Sequence, residues 1–127
     1  MVATIKRQSA ELNIEVEKGS TFSHTLTWKS GVPGSETPVN LTGATARLQI
    51  KSLKRNSTVM YEANTAGGQI SLGDLTGTVM ITIPASESAA WRFKEAKYSL
   101  EIYFPSGEER RFLRGMIIAF DETINGV

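Results

Sequence analysis

The chain has no cysteine, a single histidine (His24), and aspartate only at Asp74 and Asp121. Each absence removes a class of chemistry. Without cysteine there is neither a disulfide framework nor a thiolate zinc site, and the case for a small secreted domain weakens. A metal centre would have only carboxylates to supplement its one imidazole, and both aspartates sit in turn-like contexts, so no metal or other cofactor is expected. A Ser-His-Asp arrangement would have only His24 as its base. Charge of one sign is also missing. Lys and Arg number 14, Asp and Glu 13, and the net charge of +1 gives no reason to expect nucleic acid as a partner. No apolar run approaches a membrane span, so no membrane partner is expected. The opening MVATIKRQSAELNIEV lacks the apolar core of a signal peptide, so no export signal is expected. The sequons at Asn40-Leu41-Thr42 and Asn56-Ser57-Thr58 are then read as chance matches to a short pattern.

What is present is an ordinary globular composition, 40% hydrophobic and 21% charged, in 127 residues, a length for one domain. Its strongest signal is a period of two. Ile14 and Val16 alternate with glutamates. Phe22, His24, Leu26 and Trp28 share a parity, as do Ala44, Ala46, Leu48 and Ile50, then Val79, Ile81 and Ile83, then Tyr98, Leu100, Ile102 and Phe104. RRFLRGMIIAF supplies Phe112, Met116, Ile118 and Phe120 as a last inward set, with a bulge expected near Gly115. Turn chemistry separates these runs: KSGVPGSETP, AGGQ, GDLTG, and FPSGEE with Gly107 at a positive φ. PASESAAWRF breaks the period. Pro84 stops a strand, Ser86 fits a helix N-cap, and Trp91 and Phe93 pin the turn to the core.

The pattern predicts an all-β fold, an antiparallel β-sandwich (immunoglobulin-like or jelly-roll-like) of about seven to nine short strands with one helical turn near 85–91. Residues 1–11 have no clear period and read as an N-terminal arm; 12–127 read as a single domain.

No catalytic constellation emerges. His24 reads as a half-buried strand histidine. Glu15 and Glu17 share an outward face, where solvated charge on an edge strand is the simpler reading. Glu108-Glu109 followed by Arg110-Arg111 reads as cross-strand charge pairing at a hairpin. The candidate interface residues are surface features. KSLKR places Lys51, Lys54 and Arg55 in or beside one loop, and Tyr103 stands on the outward parity Lys97, Ser99, Glu101, Tyr103. Arg110 and Arg111 flank the hairpin. Trp28, at its strand end, is either a core lid or a sugar-stacking platform. The residues alone describe a β-sandwich without an active site.

The order of the segments carries more. GSTF…LTW (Gly19 to Trp28) is followed by a Gly/Pro loop, then VNLTGATARLQIKS, GGQISL, GTVMITIPASESAAW and AKYSLEIYFPSGEERRFLRGMIIAFDETI. This order, over about residues 12–124, resembles the small β-sandwich structural proteins of tailed bacteriophages, in particular the N-terminal module of phage baseplate upper proteins and related tail-associated proteins. With the sequence ending at Val127, neither a fibre stem nor a receptor-binding part is expected, which is a departure from those proteins. The resemblance implies a non-enzymatic virion protein, tail-associated as a baseplate, collar or fibre-attachment adaptor, made in the bacterial host cytoplasm. It would bind other virion proteins as a symmetric homo-oligomer and use no cofactor. A head decoration protein and a carbohydrate-binding module are the alternatives.

Overall fold

The computed structural model describes residues 2–5, 10–54 and 58–121. Two sheets pack face to face. The first has the order β1 (Val2–Ile5), β4 (Phe22–Ser30), β9 (Thr78–Ile83) and β8 (Ile70–Gly73), with β5 (Thr37–Pro38) on the end of β4. The second runs β7 (Val59–Asn64), β6 (Thr45–Lys51), β10 (Glu95–Tyr103) and β11 (Glu109–Phe120). Its far edge is completed by β2 (Ala10–Glu11) and β3 (Ile14–Glu17), both on β11. The period-two residues meet between the layers: Leu26, Val79, Ile81 and Ile83 from one sheet, and Val16, Leu48, Ile50, Leu100 and Ile102 from the other, each at most 1% exposed. The fold is an all-β sandwich.

The N-terminal segment departs from expectation. Read as an arm, it instead places β1 beside β4 and β2 beside β11, and β3 continues on β11; all three pairings are parallel. Parallel pairing is open to these strands because no tight turn joins them to their partners. Asn40, the first residue of a sequon, has a local task. Its Oδ1 accepts the Thr42 N–H at 3.0 Å, an Asx turn leading into Gly43 at φ 78° and then β6.

The last strand corrects a register. Leu100 faces Leu113 while Glu101 faces Arg111, so the bulge falls at Phe112 rather than near Gly115. Phe112 and Leu113 both turn inward, and beyond them Ile117 and Ala119 are buried while Met116, Ile118 and Phe120 face outward. One extra residue inverts every side chain after it. Gly115 serves another purpose. A Cβ there would overlap the Leu12 carbonyl oxygen, which lies over the strand as β2 passes into β3. Leu12 N–H donates to the Arg114 carbonyl (2.9 Å), Met116 N–H to Asn13 Oδ1 (3.0 Å), and the Tyr98 hydroxyl to the Leu12 carbonyl (2.5 Å). Burial pushes the Tyr98 phenol well above its usual pKa.

The helical turn α1 (Ala85–Ala89) starts two positions earlier than an N-cap at Ser86 would place it. Pro84 is its N-cap, with no side-chain cap bond. Pro84 is held extended at φ −63° and ψ 150°, which sets Ser86 inside the first turn. Ser88 is the serine with a structural bond, its buried Oγ accepting the Gly19 N–H at 3.1 Å. Trp91 stacks on Phe93 (5.0 Å) and donates its indole N–H to Glu87 Oε2 (3.0 Å).

Candidate functional site

The outer faces of the two sheets differ in kind. On the first, Ser23, Thr25, Thr27, Ser71, Thr78, Met80 and Thr82 share the outward parity without charge, and Lys29 near the end of β4 adds a single cation to it. On the second, the outward positions of β6, β10 and β11 bring charges into direct register. Arg47 faces Glu101, Gln49 faces Ser99, and Lys51 faces Lys97; across the other side of β10, Lys97 meets Met116, Ser99 meets Arg114 and Glu101 meets Arg111. Lys51, Lys97, Arg111 and Arg114 thus rim a shallow, open concavity of about 800 Å3 with Ser99 and Gly115 in its lining.

Glu11 also lines the concavity, beside Arg114, whereas the carboxylates of Glu101 and Glu62 nearby are occupied. Glu101 Oε1 accepts the Tyr103 hydroxyl (2.8 Å) and Arg47 Nη2 (3.4 Å), and Arg47 Nη2 also donates to the Tyr103 hydroxyl oxygen (2.8 Å). The Arg47 guanidinium lies 5.6 Å from the centre of the Tyr103 ring. The Tyr103 hydroxyl, and then the guanidinium, hold the Glu101 carboxyl below its ordinary pKa, while burial and its bond to Glu101 raise the phenol. Glu62 accepts the Asn64 amide (2.8 Å) and the Gln49 amide (3.1 Å), and these donors lower its pKa. No ion pair within 4.0 Å joins Lys51, Lys97, Arg111 or Arg114 to a carboxylate among the described residues.

The residues singled out in the sequence therefore separate. Lys51 and Arg111 belong to the concavity, and Tyr103 lies outside its lining, locked into the Arg47–Glu101 triad. Lys54 lies elsewhere, lining an open groove between α1 and the β7 edge with Trp91, Phe93 and Met60. Arg55 falls outside the described residues. Arg110 pairs locally: Nε and Nη2 both reach Glu108 Oε2, at 2.8 and 2.6 Å, while its cross-strand neighbour is Ile102. The expected cross-strand pairing at the hairpin is thus an i, i+2 pair. Trp28 takes the core-lid reading and leaves the candidate interface. It is 3% exposed, with its ring 4.8 Å from Phe112 and 6.0 Å from Phe104, so it presents no face to a saccharide or a partner. Lys97 and Arg114 complete the cluster. Lys97 could be found from its parity, but Arg114 is visible only once the bulge is placed.

His24 is 8% exposed and stacked on Phe22 at 5.8 Å. Its Nε2 has no partner, and desolvation lowers its pKa. No hydroxyl or carboxylate is bonded to it, and no group of three or more metal-ligating side chains occurs among the described residues.

Fold and surface together define a β-sandwich with a charged outer sheet. No family model matches the chain, and no curated protein matches it. Among solved structures it is similar to the N-terminal domain of phage TP901-1 ORF48, at 10% identity and a TM-score of 0.49, over 94% of this chain and 98% of that one. A likeness of that extent assigns no role to any residue here.

Proposed function

We propose that this is a non-enzymatic structural protein of a tailed-bacteriophage virion, tail-associated as a baseplate, collar or fibre-attachment adaptor, synthesised in the host cytoplasm and working through protein–protein contacts. The observation that carries the reading is the order of segments across residues 12–124, which resembles that of phage tail-associated sandwiches. The chemistry is consistent with it. The single histidine is buried and stacked on a phenyl ring, without the hydroxyl and carboxylate partners that acid–base work requires.

A virion part repeats around a symmetric ring or tube and must present surfaces to its own copies and to other virion proteins. The sheet edges β1, β8, β7 and β2–β3, the 29–38 loop and the two outer faces are surfaces this chain offers. The 1–11 segment contributes less to such contacts than its reading as a free arm implies, since Val2–Ile5 and Ala10–Glu11 are paired within the chain.

Immunogold labelling of purified particles tests the role. Label at the tail supports it, label on the capsid moves the protein to head decoration, and a protein missing from particles refutes a virion role altogether. His24→Gln is expected to leave incorporation unchanged.

A further inference from the structure

We propose that the outer face of the second sheet is a self-complementary contact at which two copies of this chain dimerise, the Lys51–Lys97 rung of one copy meeting the Glu15–Glu17 edge of the other. The inference rests on the symmetric self-association implied by the virion reading and gives it a location.

The first observation is an unfavourable one. Lys51 and Lys97 stand directly opposite on the antiparallel β6–β10 pair, both outward, and like charges so placed repel. Their rung continues to Val59 on one side and Met116 on the other, so no carboxylate on it offsets them. Glu101 and Glu62 are held by their own partners. Glu95, two residues from Lys97, and Glu11, beside Arg114, are the nearest other acids by register. A fold gains nothing from such a pair, whereas a contact that brings carboxylates to it does.

Those carboxylates lie on the same face. Outward on β3, Glu15 adjoins Ile118 and Glu17 adjoins Phe120. Between the cationic rung and this acidic edge runs an apolar strip along β11, Met116, Ile118 and Phe120, the last 44% exposed. Base, apolar strip and acid in sequence across one face form a pattern complementary to itself under a two-fold rotation. With strands about 4.8 Å apart and residues about 3.3 Å apart along them, the lysine rung and the two glutamates have similar spacings of roughly 5–7 Å. A two-fold axis lying in the face, oblique to the strands, sets Lys97 on Glu15 and Lys51 on Glu17 of the second copy, with the apolar strips meeting between them. A wholly acidic partner would be repelled by Glu15, Glu17 and Glu95. A nucleic acid would meet the same acids, and the concavity offers no free ring to stack on, since Tyr98 is buried and bonded to Leu12.

The test is a charge-reversal cycle on the full chain, read by sedimentation equilibrium across the micromolar range at low and high salt. Wild type is expected to dimerise, more weakly as salt rises. Lys97→Glu and Glu15→Lys are each expected to weaken the dimer by about tenfold or more, and the double variant to recover most of that loss. Lys97→Glu relieves the like-charge pair, so its monomer should melt no lower than wild type; thermal unfolding separates lost contact from lost fold. A monomeric wild type, or a double variant no better than the singles, overturns the proposal. So does an oligonucleotide that binds wild type and loses its affinity on Lys97→Glu while the protein stays monomeric. Particle labelling keeps the two readings apart. A dimer that passes the cycle but is absent from particles refutes the virion role alone, and a particle-bound protein that fails the cycle refutes this interface alone.

Discussion

Replacing Gly115 by alanine adds one methyl group where the N-terminal chain, running alongside β11, comes closest to it between β2 and β3. Gly115 does not lie in the left-handed region, so alanine is tolerable to the backbone itself. In an open strand position such a change stabilises by about 0.4–1 kcal/mol by restricting the unfolded chain. Here the added Cβ would overlap the Leu12 carbonyl oxygen and lie 2.8 Å from its carbonyl carbon and 3.2 Å from Asn13 Oδ1. Two of these are backbone atoms, which cannot rotate aside. Displacing the β2–β3 segment lengthens or breaks the Leu12–Arg114, Met116–Asn13 and Tyr98–Leu12 bonds. At about 1 kcal/mol net for each, and with the buried Tyr98 hydroxyl left unpaired, the loss is roughly 2–4 kcal/mol. With an m-value of about 2 kcal/mol per molar, the urea midpoint falls by roughly 1–2 M. Hydrogen exchange should show the faster-exchanging amides concentrated in β3 and in the part of β11 that faces it. An alanine variant as stable as wild type, or more so, would refute the close approach and with it the role given to this glycine.

Three further outcomes follow from the same geometry. Burial lowers the His24 pKa, so the unfolded chain takes up the proton first; the stability this residue supports is complete above the unfolded value of 6.5 and is lost as pH falls below it. His24→Gln should flatten that part of the midpoint-against-pH curve, and an unchanged slope would show that the imidazole is not desolvated. Tyr103→Phe removes the hydroxyl that most lowers Glu101, so the Glu101 pKa should rise in an NMR titration. The cost in stability should be no more than about 0.5–1 kcal/mol because the triad is partly solvated; an unmoved pKa would dissolve the triad. Trp28→Ala should cost about 3–5 kcal/mol by emptying the core beside Phe112. The tryptophan fluorescence of wild type should not respond to saccharides, and a response lost on Tyr103→Ala would revive the carbohydrate reading.

What the sequence determined by itself is the layering. Side chains of a strand alternate strictly, so Leu26, Leu48, Ile50, Val79, Ile81, Leu100 and Ile102 announce an inner face, and Pro84 and the glycine turns announce where strands end. The tertiary structure decided whatever depends on a count across strands. The bulge at Phe112 turned Met116, Ile118 and Phe120 from expected core into an outward strip, and brought Arg114 into line with Ser99. Pairing with β4 and β11 converted the aperiodic N-terminus into sheet, because strands of four and two residues leave too short a run for a period to be read. The opposition of Lys51 and Lys97, 46 residues apart, is likewise a product of register. Alternation is a local property of the backbone, whereas which charge faces which is set only when distant strands are laid side by side.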